Sequence, residues 1–261
     1  MCGIVGYTGP KDATPLLLEG LRRLEYRGYD SAGLAILTNG HIELRRSVGK
    51  LANLESLIRT DPLKGTVGLG HTRWATHGRP SEENAHPHTD CSGKLVVIHN
   101  GIIENYVALK TMLLEKGHRF ASETDTEIVA HLIEEKLKGL SRGSAAFAPN
   151  LREPMLFEAV RQALGELRGA YALAILWSEA PGTLVAAKTA SPLVVGLGAG
   201  ETFLASDVPA FLEHTRKVVF LDDGEMAVIG SKGTTFFNLD GKKVEKVPVQ
   251  IQWDRTMAEK G

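Results

Sequence analysis

Cysteine is nearly absent from this chain: there are two in 261 residues, Cys2 and Cys91. Two thiols cannot build a disulfide framework, so the fold must rest on a buried core, and the usage fits a reducing compartment. Charge of one sign is missing as well. With 30 Lys and Arg against 31 Asp and Glu, the formal net charge is -1, and no long single-sign run disturbs the balance. That excludes the basic stripe on which a general nucleic-acid binder depends. Long apolar runs are lacking too. The most apolar stretch, GAYALAILW (169–177), is far short of the ~20 residues of a membrane helix. No basic segment leads into an apolar one at the N-terminus, so no signal peptide is read. There is no internal repeat, and the one linker-like interior stretch is KGLSRGSAAFAPN (138–150). These absences predict a soluble, cytoplasmic protein without nucleic-acid or membrane partners. A chain of this length buries roughly 70–75% of its unfolded surface, enough to need no covalent staples.

What is present is mostly strand signal. SAGLAILT (31–38) and HIELRRS (41–47) flank Asn39-Gly40, a hairpin signal because both turn positions tolerate positive φ. GIVGYTG opens the chain, and TVGLGHTRWAT (66–76) and KLVVIHN (94–100) read as further strands. The later half adds segments near 170–177, 183–189, 193–198, 202–206, 217–221, 225–230 and 234–239. Their short connections favour antiparallel pairing. Several are apolar on both faces, which predicts cover on both sides. Helical spacing appears over 13–26, 50–59, 105–117, 125–139 and 154–168. The pattern is that of a mixed, mainly antiparallel α+β domain, most economically two sheets between helices.

Cys2 stands directly behind the initiator methionine. Methionine is normally trimmed before a small residue, which would leave Cys2 with a thiol (pKa about 8.5) and an α-amine (pKa about 7.7–8) on one carbon. That amine can take the thiol proton, so one residue supplies nucleophile and base. The alternative is a small buried residue at a strand start. Three further segments bear on the choice. In HNGIIEN (99–105) a strand runs into Asn100-Gly101 and stops; a side-chain amide beside a glycine amide can aim two donors at one point, as an oxyanion hole requires, or can be an ordinary turn. In GHTRWATHGRP (70–80), Arg73, Thr76 and His77 cluster where a strand becomes a loop, and arginine's planar fork matches a carboxylate; a surface loop with a structural Trp74 is the plainer reading. In SETDTE (122–127), Asp125 suits a substrate ammonium or a helix cap.

Taken together, these segments resemble the class II glutamine amidotransferases, which belong to the N-terminal-nucleophile hydrolases. CGIVGY, HTRWATHG, HNGIIEN and SETDTE occur in that family's order. LRRLEYRGYDSAG (21–33) and HTRWATHGRPSEENAHPH (71–88) look like one branch, the glutaminase domains of isomerising glutamine–fructose-6-phosphate aminotransferases. The resemblance implies an αββα four-layer sandwich over 2–240 and roles for particular residues. Cys2 would attack the side-chain amide of L-glutamine while its α-amine moves protons. Asn100 and Gly101 would hold the oxyanion. Arg73, Thr76 and His77 would bind the α-carboxylate, and Asp125 the α-ammonium. Trp74 would gate an ammonia channel, and Arg27 and Tyr29 would help order the site. Residues 241–261 would be a linker toward a sugar-phosphate isomerase domain that binds fructose 6-phosphate, with the full-length protein a homo-oligomer.

The resemblance implies no cofactor and no metal. GLGAG (196–200) lies between strand signals and reads as a hairpin, since a dinucleotide fingerprint needs a helix after the turn. HPH (86–88) has no acidic partner at a recognised spacing. Cys91, in the polar loop TDCSGK, has no assigned role. Three competing readings share much of this evidence: the same chemistry with another acceptor, an acylase for a different amide, and a non-catalytic binding module on the same fold.

Overall fold

The structure is a computed structural model that describes residues 2–75, 78–141, 149–230 and 233–252. In chain order the first half runs β1 (Gly3–Thr8), α1 (Ala13–Arg23), β2 (Ser31–Thr38), β3 (His41–Val48), α2 (Leu51–Thr60), β4 (Val67–Arg73), β5 (His88–Thr89), β6 (Leu95–Ile103), α3 (Tyr106–Glu115) and α4 (Asp125–Ser141). The second half runs α5 (Arg152–Leu164), β7 (Gly169–Trp177), β8 (Leu184–Thr189), β9 (Val194–Leu197), β10 (Thr202–Ala205), β11 (Lys217–Phe220), β12 (Glu225–Gly230), β13 (Gly233–Asn238), β14 (Lys243–Val244) and β15 (Val249–Gln250).

These strands form an eight-stranded sheet in the order β15-β11-β9-β10-β1-β4-β2-β3 and a seven-stranded sheet in the order β14-β13-β12-β8-β7-β6-β5. Neighbouring strands pair antiparallel. Ile4, Leu69 and Leu204 of one sheet meet Ile98, Ala174 and Ala186 of the other in a buried layer. Leu17 and Leu21 of α1 and Leu54 of α2 pack on the outer face of the first sheet. Ile128 and Leu132 of α4 and Leu156 and Val160 of α5 pack on the outer face of the second. The result is the expected four-layer αββα sandwich. Strands such as β1 and β4 are buried along their whole length, which explains their near-continuous apolar and small-residue sequence.

The Asn39-Gly40 hairpin forms, with φ of 49° and 83° at its two corner residues. GLGAG is also a hairpin, between β9 and β10. Two expectations need correction. The strand through HNG does not stop at Asn100: β6 continues to Ile103, paired with β7 as far as Gly169. The reason lies in Gly101, whose φ of 132° and 2.0 Å approach of a hypothetical Cβ to the Ala170 carbonyl no other residue could accept. The helix over 154–168 ends earlier, at Leu164.

The chain also remains part of the sheets beyond residue 240. β14 extends β13, β15 pairs with β11, the Ile251 amide donates to the Arg216 carbonyl, and Ile251 is buried. These strands lie within the span 241–261 expected to be a linker, and Trp253 to Gly261 lie outside the described residues.

Candidate active site

The Cys2 end of β1 meets the C-terminal end of β4 and the middle of β6 where the two sheets face each other. A cavity of about 470 Å³ opens there, walled by Cys2, Arg27, Arg73, Trp74, Asn100, Gly101 and Asp125. These are seven of the ten residues singled out from the sequence; Tyr29 is not in the cavity wall, and Thr76 and His77 lie outside the described residues.

Backbone contacts fix Cys2. Its carbonyl accepts from Asn100 Nδ2 (3.0 Å) and from Arg27 Nη1 (3.2 Å). The following residues are held as well: the Gly3 amide donates to Thr72 Oγ1 and the Ile4 amide to Ser206 Oγ. The thiol accepts from the Trp74 amide at 3.1 Å and donates to the Trp74 carbonyl at 3.7 Å. Burial pushes the Cys2 thiol up from its ordinary value, with the Trp74 amide pulling the other way. The thiol therefore rests protonated near neutral pH, and any attack by sulfur requires a base.

Asn100 is oriented from behind. His71, buried on β4, places Nε2 at 2.9 Å from Asn100 Oδ1 and 3.0 Å from the His99 carbonyl. Both partners are acceptors, so Nε2 carries the hydrogen. Burial lowers the His71 pKa to about 3, which keeps the ring neutral. With Oδ1 engaged by His71, the Asn100 amide must turn its NH₂ toward Cys2. One of its two hydrogens reaches the Cys2 carbonyl, and the other is available to the cavity.

Arg73 ends β4. Its Nη2 donates to the Gly78 carbonyl, and burial lowers its pKa from the ordinary value, while Asp30, Cys2 and Asp125 pull the other way. Asp30 ties the adjoining loop: its Oδ2 accepts from the Ala75 amide at 2.5 Å, and its own amide donates to the Arg73 carbonyl. Trp74 is 55% exposed. Its ring lies over Gly28, where a Cβ would come within 2.6 Å of it.

Asp125 is buried at the first residue of α4 and is not the cap. That task falls to Thr124, whose Oγ1 accepts from the Glu127 amide, while the Glu127 carboxylate reaches back to the Ala121 and Ser122 amides. This is a variant of the capping box. Asp125 Oδ2 instead accepts from the Ile103 amide at 2.8 Å, which fixes the carboxylate at the cavity wall.

Arg27 is a brace. Besides Cys2 it binds the Ser206 hydroxyl and carbonyl and Asp207. Tyr29 serves elsewhere: its hydroxyl accepts from the Leu51 amide at the start of α2 and bonds Glu25. Sequence reasoning did not single out His71, Asp30, Thr72 or Ser206. His71 and Asp30 lie inside the motifs HTRWATHG and RGYD, but their partners are distant in sequence. His99 was missed in the same way, and His86 was weighed only as part of a metal motif: both rings bond Thr126 Oγ1, at 3.0 and 2.8 Å.

A polarised arrangement follows. A thiol, an amide donor, a guanidinium and a carboxylate face one space, suited to an α-amino acid whose side-chain carbonyl reaches sulfur. Comparison with known proteins agrees. The profile of the family described as "Glutamine amidotransferase domain" matches residues 71–213, more than half of the chain. Glutamine–fructose-6-phosphate aminotransferase [isomerizing] of Caldanaerobacter subterraneus subsp. tengcongensis is 51% identical over 261 residues, all of this chain and 40% of that protein. The Methanosarcina acetivorans protein of the same name is 53% identical over 262 residues and is covered to 41%. This chain thus spans about two-fifths of the length of these relatives. Among solved structures, glutamine phosphoribosylpyrophosphate amidotransferase from B. subtilis, complexed with ADP and GMP, superposes with a TM-score of 0.71 and 27% identity, over 91% of this chain and 49% of that one. Fold, cavity and sequence agree that this chain belongs to the glutamine amidotransferase domain family.

Proposed function

We propose that this domain hydrolyses the side-chain amide of free L-glutamine through a thioester on Cys2. Removal of Met1 makes the Cys2 nitrogen an α-amine. That amine takes the thiol proton as sulfur attacks the amide carbonyl. The developing oxyanion is held by the Asn100 side chain and the Gly101 amide. Collapse of the tetrahedral intermediate expels ammonia, the leaving nitrogen taking its proton from the ammonium of Cys2. Water, deprotonated by the same amine, then attacks the γ-glutamyl thioester and releases glutamate. Arg73, with Thr76 and His77, binds the α-carboxylate and Asp125 the α-ammonium. Requiring both charged ends rejects glutamine within a protein chain. Trp74, at the mouth of the cavity, gates the exit of ammonia.

The observation that carries this reading is the convergence of the Cys2 thiol, the Asn100 amide, Arg73 and Asp125 on one cavity. The acceptor reaction rests on the relatives. Their name and greater length support a following sugar-phosphate isomerase domain that uses the ammonia to convert fructose 6-phosphate into glucosamine 6-phosphate. The test is a diazoketone analogue of glutamine applied to protein whose intact mass shows that Met1 is gone. One equivalent should attach to Cys2, block glutaminase activity, and be excluded by glutamine. No attachment to protein proven to begin at Cys2 would sink the reading in favour of a binding module. Protein that retains Met1 should bind glutamine without turning it over.

A further inference from the structure

A second constellation lies outside the glutamine cavity. Cys91, His118, His131 and Glu134 come from three separate segments: the turn between β5 and β6, the loop between α3 and α4, and one face of α4. His131 and Glu134 stand one helical turn apart, so both project to the same side. Both histidines and Glu134 are buried, and Cys91 closes the group at the surface.

Five of the six distances among the four inward atoms lie near the edges of a tetrahedron, and the sixth, Cys91 Sγ to Glu134 Oε2, is within 4.8 Å. Cys91 Sγ lies 3.7 Å from His118 Nδ1 and 3.5 Å from His131 Nδ1. The two Nδ1 atoms are 3.3 Å apart. Glu134 Oε2 is 3.1 Å from His118 Nδ1 and 3.3 Å from His131 Nδ1. A zinc ion with bonds of about 2.3 Å to sulfur and 2.0–2.1 Å to nitrogen and oxygen sets ligand-to-ligand edges of about 3.3–3.6 Å in a regular tetrahedron.

The surroundings turn the four groups inward. His118 Nε2 is 3.3 Å from Glu135 Oε2, and His131 Nε2 is 3.5 Å from Glu127 Oε1. At His118 a carboxylate on the outer nitrogen favours the hydrogen there and leaves the Nδ1 lone pair facing in, which is how metal-bound histidines are held, whereas the Glu127 carboxylate lies beside His131 Nε2 without a hydrogen bond to it. Glu134 Oε1 is engaged by Lys138 at 2.7 Å, so that Oε2 faces the cluster. The Arg119 amide donates to Cys91 Sγ at 3.5 Å. Two imidazole lone pairs, a carboxylate oxygen and a sulfur thus converge. The Cys91 amide already donates to Glu134 Oε2 at 3.1 Å, and the Cys91 thiol hydrogen can serve one imidazole nitrogen; a divalent cation would bind all four inward atoms at once. One thiolate and one carboxylate also neutralise its charge.

We propose that Cys91, His118, His131 and Glu134 bind one zinc ion in a closed, structural site. Sulfur, nitrogen and oxygen donors in tetrahedral array favour zinc over magnesium or calcium, which take more oxygen ligands. Four protein ligands leave no open position for catalysis. The ion would pin the β5–β6 turn and the α3–α4 loop to α4, the helix whose first residue is Asp125. Binding requires loss of the Cys91 proton and forms one bond from each of the four side chains. Neither oxidant nor reductant is involved.

The test uses the whole chain, expressed without a polyhistidine tag, and reads metal rather than turnover. Elemental analysis after zinc reconstitution and desalting should give one zinc per chain. Replacement by Co(II) should give the intense visible bands of a tetrahedral ion together with a thiolate-to-cobalt charge-transfer band. Cys91→Ser, a change at the exposed ligand that leaves the core intact, should remove the charge-transfer band and lose zinc on desalting while keeping the near-ultraviolet circular dichroism of the parent. Glu135→Gln should retain the spectrum but weaken zinc about 10-fold or more. A chelator should lower the thermal midpoint of the parent and leave that of Cys91→Ser unchanged. Failure of reconstituted protein to retain zinc, an octahedral cobalt spectrum, or equal zinc in parent and Cys91→Ser would each overturn the proposal.

Discussion

At the scale of single residues, the cavity is governed by hydrogen bonds whose direction can be assigned. Asn100 can present NH₂ to Cys2 only because neutral His71 occupies its oxygen. Asn100→Ala removes an oxyanion donor and should lower kcat by about 10²–10³-fold with little change in KM; a change confined to KM would remove Asn100 from that role. His71→Leu should act in the same direction but less, by up to about 10-fold, since it removes an orienting hydrogen bond and leaves the donor in place. Its KM and its pH–rate profile should match the parent, because a neutral positioning ring contributes no proton to the reaction. Arg73→Lys tests the carboxylate fork: the charge is kept and the bidentate geometry is lost. KM for glutamine should rise with kcat nearly preserved, and an unchanged KM would count against the assignment.

At the scale of elements, α4 joins stability to the substrate recognition proposed for Asp125. Its N-terminus is capped by Thr124 and braced by Glu127, and its first residue is Asp125. Burial pushes the Glu127 carboxyl up, but His131 beside it and hydrogen bonds from Ala121 and Ser122 outweigh it and bring the pKa to about 2. Thr124→Ala should cost about 1 kcal/mol of stability through the lost cap, measured by denaturant unfolding. It should also raise KM for glutamine through the displaced carboxylate of Asp125. Loss of stability with an unchanged KM would show that Asp125 is held by the Ile103 amide and not by the helix start. Strand β6 shows the same coupling. Gly101 allows it to run past Asn100 to Ile103, whose amide then fixes Asp125.

At the scale of the molecule, a buried set of neutral histidines sets the acid limit. His71, His86, His88 and His99 lie between the β4 and β6 region and α4, and burial lowers the pKa of each, His71 and His88 to about 3. In the unfolded chain such rings take a proton near pH 6.5. Below that pH the unfolded state binds more protons than the folded one. Stability should therefore fall as pH drops from about 6.5 toward about 3, by about 1.4 kcal/mol per pH unit for each ring that stays neutral. Above that window these rings contribute their full share. Denaturant titrations across the acid range should show this slope, shallower in His88→Asn. A flat profile would mean that the rings are charged in the fold.

Much of this was legible in the sequence, for a physical reason. Alternation, turn residues and helical spacing are local, and they placed most of the strands, five helices and the Asn39-Gly40 hairpin near their observed positions. Motif order pointed to Cys2, Arg73, Asn100, Gly101 and Asp125, which do share a cavity. The continuation of β6 was not legible, because a glycine at φ 132° reads as a turn until its partner strand is known. Nor were the edge strands β14 and β15, which are too short to show a period and form through pairing with β13 and β11. His71 became meaningful only when β4 was laid beside β1 and opposite β6. The same holds for Cys91, His118, His131 and Glu134, whose spacing matches no metal motif. By itself the sequence determined which chemical groups were available and the local form of each segment. Which groups meet was decided by the tertiary structure alone, because hydrogen bonds and ligand bonds depend on distances of a few ångströms between elements far apart in the chain.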